Sequence, residues 1–586
     1  MSRPVRIGNA SAFYGDRLAS MRHLVDTADI DVITGDYLAE LTMLILWKAR
    51  QRDPAAGYAR TFLTQFEQVA TACAQHGIKI VVNAGGLNPA GMAEAVRALI
   101  GDAGLDLRVA HVEGDDLMPH LANLRAAGER FIHLDTGAPL NDAGVQPVSA
   151  NAYLGGWGIA SALSRGADVV ITGRVTDAAL VVGVGAWWHG WDRNDYDALA
   201  GAVAAGHVIE CGPQATGGNY SQLAEITDRR YPGSPIAELA HDGSFVITKP
   251  ADSGGLVSAG TVTAQLLYEV GSPSYANPDV VAHFDTLTVR SEGPDRVRVA
   301  GTKGSPPPPV LKVAMNYVGG YRNTMTMVLT GLNIEEKAAW ALDELFEILG
   351  GRERFDDVDV QLLRYDKPDP SSVVDATAHL RITVKDRNRT EVDRAFSNAV
   401  IELAVGGYPG FHTTTPPGNA SEFGVYWPTL VSAHAVEHTV IHDDGQCEVI
   451  PHTVDTVDPA SPTPPATTEA SVDLGPTSRR PLGDVVAARS GDKGGNANVG
   501  VWTDTAERWD WLRNHLTVDR FRALVSEANG LAVHRYEFPN LKALNFVIVG
   551  FLGEGVASCT KTDPQAKGLG EYVRALHTDI PDKLVG

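Results

Sequence analysis

Cysteine is scarce in this chain, with four in 586 residues. Cys73, Cys211, Cys447 and Cys559 lie far apart and make no CxxC spacing. That argues against a disulfide scaffold or a thiolate metal cluster and fits a reducing compartment. Basic residues are in deficit too, since 49 Lys and Arg against 71 Asp and Glu leave a formal net charge of −22. A charge of that sign repels phosphate backbones and anionic bilayers, so neither a nucleic-acid nor a membrane partner is expected. The chain has no run of about 18 apolar residues able to span a bilayer. Its opening MSRPVRIGNASAFYGDR lacks the apolar core of a signal peptide. A soluble, cytoplasmic protein is the expectation. There is no GxGxxG, Walker loop, GxSxG elbow or HExxH pair, which removes the main support for dinucleotide, P-loop, α/β-hydrolase and zincin readings.

What is present is a globular composition, 44% hydrophobic and 20% charged. Over the first 220 residues, short apolar runs alternate with turns rich in Gly, Asn or Asp and with helical stretches. The runs are Val5 to Ile7, Ile30 to Ile33, Ile78 to Val82, Leu107 to Val112, Phe131 to Leu134, Asp168 to Ile171 and His207 to Ile209. Asn88 to Ile100 and Tyr153 to Arg165 read as helices between them. Nearly continuous apolarity over strand-length runs is what a sheet covered on both faces requires. The alternation predicts an α/β fold with a large, mostly parallel N-terminal sheet and helices on both faces. An open doubly wound sheet is expected, with a barrel as the alternative. The spacing predicts a domain at 1–240, an α+β region at 241–452, a Pro/Thr-rich linker at 453–480 and a small α+β domain at 481–586, which opens on a strand at Leu482.

In an open α/β sheet, ligands bind beyond the carboxyl ends of the strands, where turn amides and helix N-termini converge. The polar residues after each run are therefore the site candidates. Asp36 and Glu40 lie four apart and would share a helix face, either as acid/base groups or as cap and dipole partner. Asn83, Gly85, Gly86 and Asn88 form either an anion cradle or a capped turn before Pro89. Arg174 and Asp177 suit recognition of a carboxylate or phosphate, or a structural pair. Glu210 is an acid/base candidate, and the adjacent Cys211 reads better as an inert thiol. Thr216, Gly217, Gly218 and Asn219 make a second Gly-rich turn. Near the C-terminus, Arg489, Ser490, Asp492 and Lys493 make an anion-binding turn or a polar hairpin. His434, His438 and His442 would align metal ligands on a helix, but Thr439-Val440-Ile441 favours strand, so no metal centre is expected there.

Six motifs in this order are similar to one known family. They are TGDYLAELTM (Thr34 to Met43), NAGGLNP (Asn83 to Pro89), NAYLGGWGIA (Asn151 to Ala160), TGRVTDAALVVG (Thr172 to Gly183), ECGPQATGG (Glu210 to Gly218) and ARSGDKGGNANVGV (Ala488 to Val501). They resemble the acyclic terpene utilisation A (AtuA) family over most of the chain. The resemblance implies that the C-terminal domain is ferredoxin-like in fold, meaning α+β and not an iron–sulfur protein. It also implies a role in bacterial breakdown of acyclic terpenes such as citronellol and geraniol, through branched acyl-CoA esters. It supplies no agreed catalytic set. The expectation is a lyase or hydratase on a branched 3-hydroxyacyl- or enoyl-CoA. Asp36, Arg174, Asp177 and Glu210 would do the chemistry, with the CoA thioester as substrate and Mg²⁺ the one cofactor considered. A homo-oligomer is expected, with other enzymes of the same pathway as further partners. The alternatives are a non-catalytic scaffold for those enzymes, or a phosphosugar or nucleotide enzyme using the same anion loops.

Overall fold

A computed structural model describes residues 3–458 and 474–585. Much of the stretch expected to be a linker, residues 459–473, lies outside them. The chain forms two compact units. One comprises Met1–Asn316, Tyr426–Val556 and Asp563–Gly586, and the other Tyr317–Val425 with Ala557–Thr562.

The first unit is built on an 11-stranded sheet. At its centre Val5–Asn9, Val32–Gly35, Lys79–Val82, Val169–Thr172 and Val109–Glu113 run parallel in that spatial order. Antiparallel strands extend it on either side, starting with Ile236–Leu239 beside the first and Thr439–Ile441 beside the last. The sheet is thus mixed, with the parallel part confined to the middle and open at both ends; no barrel closes. On one face Ile33, Ile80, Val82 and Ile171 pack against Met21, Phe62, Phe66 and Val96, which come from the helices Ala19–Thr27, Thr61–His76 and Pro89–Asp102. The alternate residues Val32, Val81 and Val170 point the other way and are equally buried, so helices cover both faces.

Two strands expected in the first 220 residues are absent. Phe131 to His133 is irregular and a turn starts at Leu134, with Phe131 itself buried at φ 47°. His207 to Ile209 is the last turn of a helix, Tyr196–Ile209. That segment, YDALAGAVAAGHVI, is rich in Ala and Gly, which lets a buried helix approach its neighbours closely. A Cβ on Gly206 would come within 2.7 Å of the Ala178 backbone. A short window of three apolar residues could not reveal that periodicity.

Residues Ala487–Lys493, Asn496–Trp502, Ala543–Ile548 and Val533–Phe538 form a four-stranded antiparallel sheet in that order. The helices Ala506–His515, Val518–Leu524 and Leu569–Ala575 accompany it. Phe521 stacks on Phe546 at 4.2 Å between ring centroids. Leu482 begins a 3₁₀ turn and not a strand. The second unit places Asp357–Arg364, Thr377–Asp386, the distal part of Val310–Thr330, and His412–Thr413 side by side. Ile334–Leu349 and Arg394–Gly406 bury Leu345, Phe346, Phe396 and Leu403 in its core.

Candidate active site

The carboxyl ends of the parallel strands do gather polar side chains, almost all of them buried. After Val32–Gly35 the chain turns at Asp36, and its helix begins only at Glu40. Asp36 therefore does not share a helix face with Glu40. Its Oδ1 accepts from Leu38 N two residues on, at 3.2 Å, and from Asn83 Nδ2 at 2.5 Å. Asn83 Oδ1 takes the Tyr37 N–H at 2.7 Å, so this amide locks two adjacent strand ends together.

Arg174, 3% exposed, follows the neighbouring strand. Its Nη1 donates to Asp177 Oδ1 at 2.8 Å and to the Leu38 carbonyl at 3.1 Å, and the guanidinium lies 4.2 Å over the ring of Tyr153. Asp115 supports this loop from below, where its Oδ2 accepts from the Arg174 N–H at 2.9 Å and from Asn151 Nδ2 at 2.8 Å. Burial pushes the Asp115 carboxyl up to about 7.

Glu210 arrives by another route, at the end of the Tyr196–Ile209 helix. Asn9 Nδ2, at the end of the first strand, holds that helix end by donating to the carbonyls of Ile209 and Glu210 at 2.7 and 3.0 Å. Glu210 Oε1 lies 3.2 Å from Nδ1 of His207, one helical turn back and 1% exposed. His207 sits between the rings of Tyr275 and Phe284, at 5.2 and 5.6 Å. Burial brings its ring down to about 4, so it is neutral. Oε2 of Glu210 has no hydrogen-bond partner among the described residues. Unsatisfied buried groups of this kind are rare and cluster where chemistry happens.

The charges around Arg174 separate into two kinds of acid. Burial, reinforced by Asp177, pushes both Asp36 and Glu210 well above the usual carboxylate range. Burial acts the same way on Glu40, but Lys312 and Arg174 outweigh it and its carboxyl ends lower than usual. Lys312 stands 3.8 Å from Glu40 and over the rings of Tyr153 and Tyr426, at 4.9 and 5.8 Å. The C-terminal hairpin closes the other side. Lys493 Nζ donates to the Glu269 carbonyl at 2.8 Å and lies 5.7 Å over the Tyr275 ring. Glu269 holds that carbonyl in a left-handed conformation, φ 56°, which non-glycine residues adopt at a cost. Burial, with Lys312 nearby, lowers the Lys493 ammonium below its usual range. Asp492 is raised to about 7 by burial and by Glu269.

The remaining candidates form structure around this centre. The Gly85 and Gly86 amides already donate to the carbonyls of Thr172 and Asn83, at 3.1 and 3.3 Å. A Cβ on Gly85 would meet Thr172 O at 2.6 Å, so glycine is needed there for close approach. Asn88 Oδ1 caps the Pro89–Asp102 helix through Gly91 N at 3.0 Å. Thr216 Oγ1 donates to the Gly233 carbonyl at 2.6 Å, and Gly218 N to Pro213 O at 2.9 Å. Gly217 takes φ 109°. Arg489, 4% exposed, bonds Gln214 and the Asn219 carbonyl and stacks on Tyr268, which joins the hairpin strand to that turn. Ser490 Oγ links Ala566 O and Gly570 N, both at 2.7 Å.

His207, Asp115, Lys312, Tyr275 and Tyr426 were not legible as site residues. Tyr153, inside NAYLGGWGIA, was the one with a motif to find it by. Among the described residues no three His, Cys, Asp or Glu are grouped to hold a metal ion. No helix among them is long and apolar enough to cross a membrane.

Together these features define an α/β protein that gathers buried carboxyl and cationic side chains at the strand ends of its sheet, beside a hairpin from a C-terminal α+β domain. Residues 5–442 match the model of the acyclic terpene utilisation family protein AtuA, and residues 480–579 match the AtuA ferredoxin-like domain. The chain belongs to the AtuA family, and membership implies involvement in acyclic terpene utilisation. No curated protein matches it.

Proposed function

We propose that the chain is a lyase or hydratase acting on a branched 3-hydroxyacyl- or enoyl-CoA thioester of acyclic terpene catabolism. The observation that carries this reading is the separation of acids around one cation. Asp36 and Glu210 are held toward the protonated form, while Glu40 is held ionised by Lys312 and Arg174. Carboxyl groups driven apart in this way divide into proton donor and proton acceptor. In a lyase step the carboxylate takes the 3-hydroxyl proton and the C2–C3 bond breaks as the new carbonyl forms. The electron pair passes to the thioester, whose developing oxyanion Arg174 stabilises, and Glu210 returns a proton to the released carbon. In a hydratase step the same donor and acceptor act on the alkene carbon and on water. Asp177 orients Arg174 in both.

The test is a thermal-shift panel of CoA, geranyl-CoA, other branched acyl-CoAs, AMP and sugar phosphates, with and without Mg²⁺, followed by product mass analysis. Ligand at about 100 times its Kd adds roughly 2.7 kcal/mol of stability. A shift confined to branched acyl-CoAs, with turnover abolished in a folded Arg174→Ala variant, is expected. No shift with any thioester at saturation, or full turnover in that variant, refutes the proposal.

A further inference from the structure

We propose that Lys493 is a nucleophilic amine at the strand ends, which condenses with an aliphatic aldehyde or ketone to form an imine. Lys493 closes the Ala487–Lys493 strand at the hairpin turn and is half-buried. Its Nζ has one hydrogen bond, to the main-chain carbonyl of Glu269 at 2.8 Å, and among the described residues it makes no salt bridge. The ring of Tyr275 stands 5.7 Å from Nζ on another side. A carbonyl acceptor of this kind asks for an N–H and not for a charge, so the bond survives when the ammonium gives up a proton.

The other cations here are committed differently. Arg174 is paired with Asp177 at 2.8 Å. Lys312 stands 3.8 Å from Glu40 and over the rings of Tyr153 and Tyr426, which favour its charged form. Lys493 has no such partner. Burial, and then the charge of Lys312, lower its ammonium; the carboxyls of Glu269, Glu40 and Glu210 act in the opposite sense and do not restore it. Each of those carboxyls is engaged elsewhere or held neutral. Glu40 faces Lys312, Glu269 lies 3.9 Å from Lys567, and Glu210 is held toward its protonated form. A lysine desolvated beside a second cation is the setting in which an amine becomes a nucleophile.

The step balances with no oxidant or reductant. The Nζ lone pair forms a bond to the carbonyl carbon as the C=O π pair moves to oxygen. Glu210 lends that oxygen a proton and takes one back from nitrogen. The C–O bond of the carbinolamine then breaks, and the oxygen leaves as water with, in net terms, the two hydrogens of the amine. Glu210 belongs to the same aromatic wall, since His207, 3.2 Å from it, packs 5.2 Å from the Tyr275 ring. Entry is from the side of Lys312 and Glu40, whose side chains stay 33% and 28% exposed. A 3-hydroxyacyl thioester cut between C2 and C3 releases a carbonyl compound of this class. The inference does not rest on that reading, because condensation needs the carbonyl compound alone.

The experiment treats the full chain with 3-methylbutanal or acetone and sodium cyanoborohydride near neutral pH. The hydride reduces an imine to a stable secondary amine, and peptide mass reads each lysine separately. One adduct per chain is expected, on Lys493, forming about tenfold or more faster than on the exposed Lys583, the ratio that each pH unit of lowering gives. Lys493→Arg keeps the charge and should leave labelling at the Lys583 rate. Lys312→Met removes the neighbouring cation and should slow the Lys493 reaction several-fold with Lys583 unchanged. This second variant keeps Lys493 in place, so the result does not hang on how Lys493→Arg folds. Lys493 reacting no faster than Lys583, a preferred adduct on another lysine, or an unchanged Lys493 rate in a folded Lys312→Met variant overturns the proposal. None of these readouts involves a thioester, so they stand apart from the thermal-shift outcome.

Discussion

Replacing Asp115 by Asn tests how the centre is held together. Asp115 accepts the Arg174 N–H and the Asn151 amide through one oxygen, and an Asn carbonyl can accept both in its place. What the substitution removes is an ionisable group whose carboxyl rises from its ordinary 3.8 to about 7 when buried. Below about pH 4 the folded and unfolded chains both carry this proton, and the group costs nothing. As pH rises, the unfolded chain ionises while the folded chain keeps its proton until about pH 7. Stability present at low pH is therefore lost through that window, about 1.4 kcal/mol per pH unit and about 4 kcal/mol in all. About 3 kcal/mol of this falls between pH 5 and pH 8. The new NH₂ group needs an acceptor, which offsets about 1–2 kcal/mol of the gain at every pH. Urea unfolding followed by tryptophan fluorescence at pH 5 and pH 8 reads the effect. The stability of Asp115→Asn relative to wild type should rise by about 2–3 kcal/mol from the lower to the higher pH. A difference that does not change with pH would refute both the assigned protonation and its cause in burial.

Two further predictions concern the loop and the acid. Gly85→Ala brings a Cβ against Thr172 O and Pro89 and should cost about 2–4 kcal/mol in the same unfolding experiment; a cost below about 0.5 kcal/mol would mean that the loop relaxes freely. With a thioester substrate in hand, Glu210→Gln is expected to lower kcat by about 10²–10⁴-fold.

The strand ends were legible where a residue and its strand are neighbours in sequence. Asp36, Asn83 and Arg174 each follow a short apolar run directly, and the parallel-sheet rule placed them together correctly. Glu210 was picked by the same rule for a reason that does not hold. It ends a buried helix, and it reaches the strand ends because Asn9 pins that helix terminus there. Asp36 and Glu40 were expected on one helix face, yet Asp36 bonds the amide two residues on and the helix starts later. Side-chain competition for backbone amides of this kind leaves little trace in periodicity.

Local chemistry along the chain determined the central strands, the caps of the flanking helices, the Gly-rich turns and the family motifs, because each depends on residues a few positions apart. Tertiary structure alone decided which carboxyl groups are raised and which is lowered. That division depends on Lys312 and Asp177 arriving from separate elements to act on the same buried carboxyls, where charge and desolvation act through space. It also put Lys493 of the C-terminal hairpin over Tyr275. Such juxtapositions follow from packing across hundreds of residues, which no local spacing encodes.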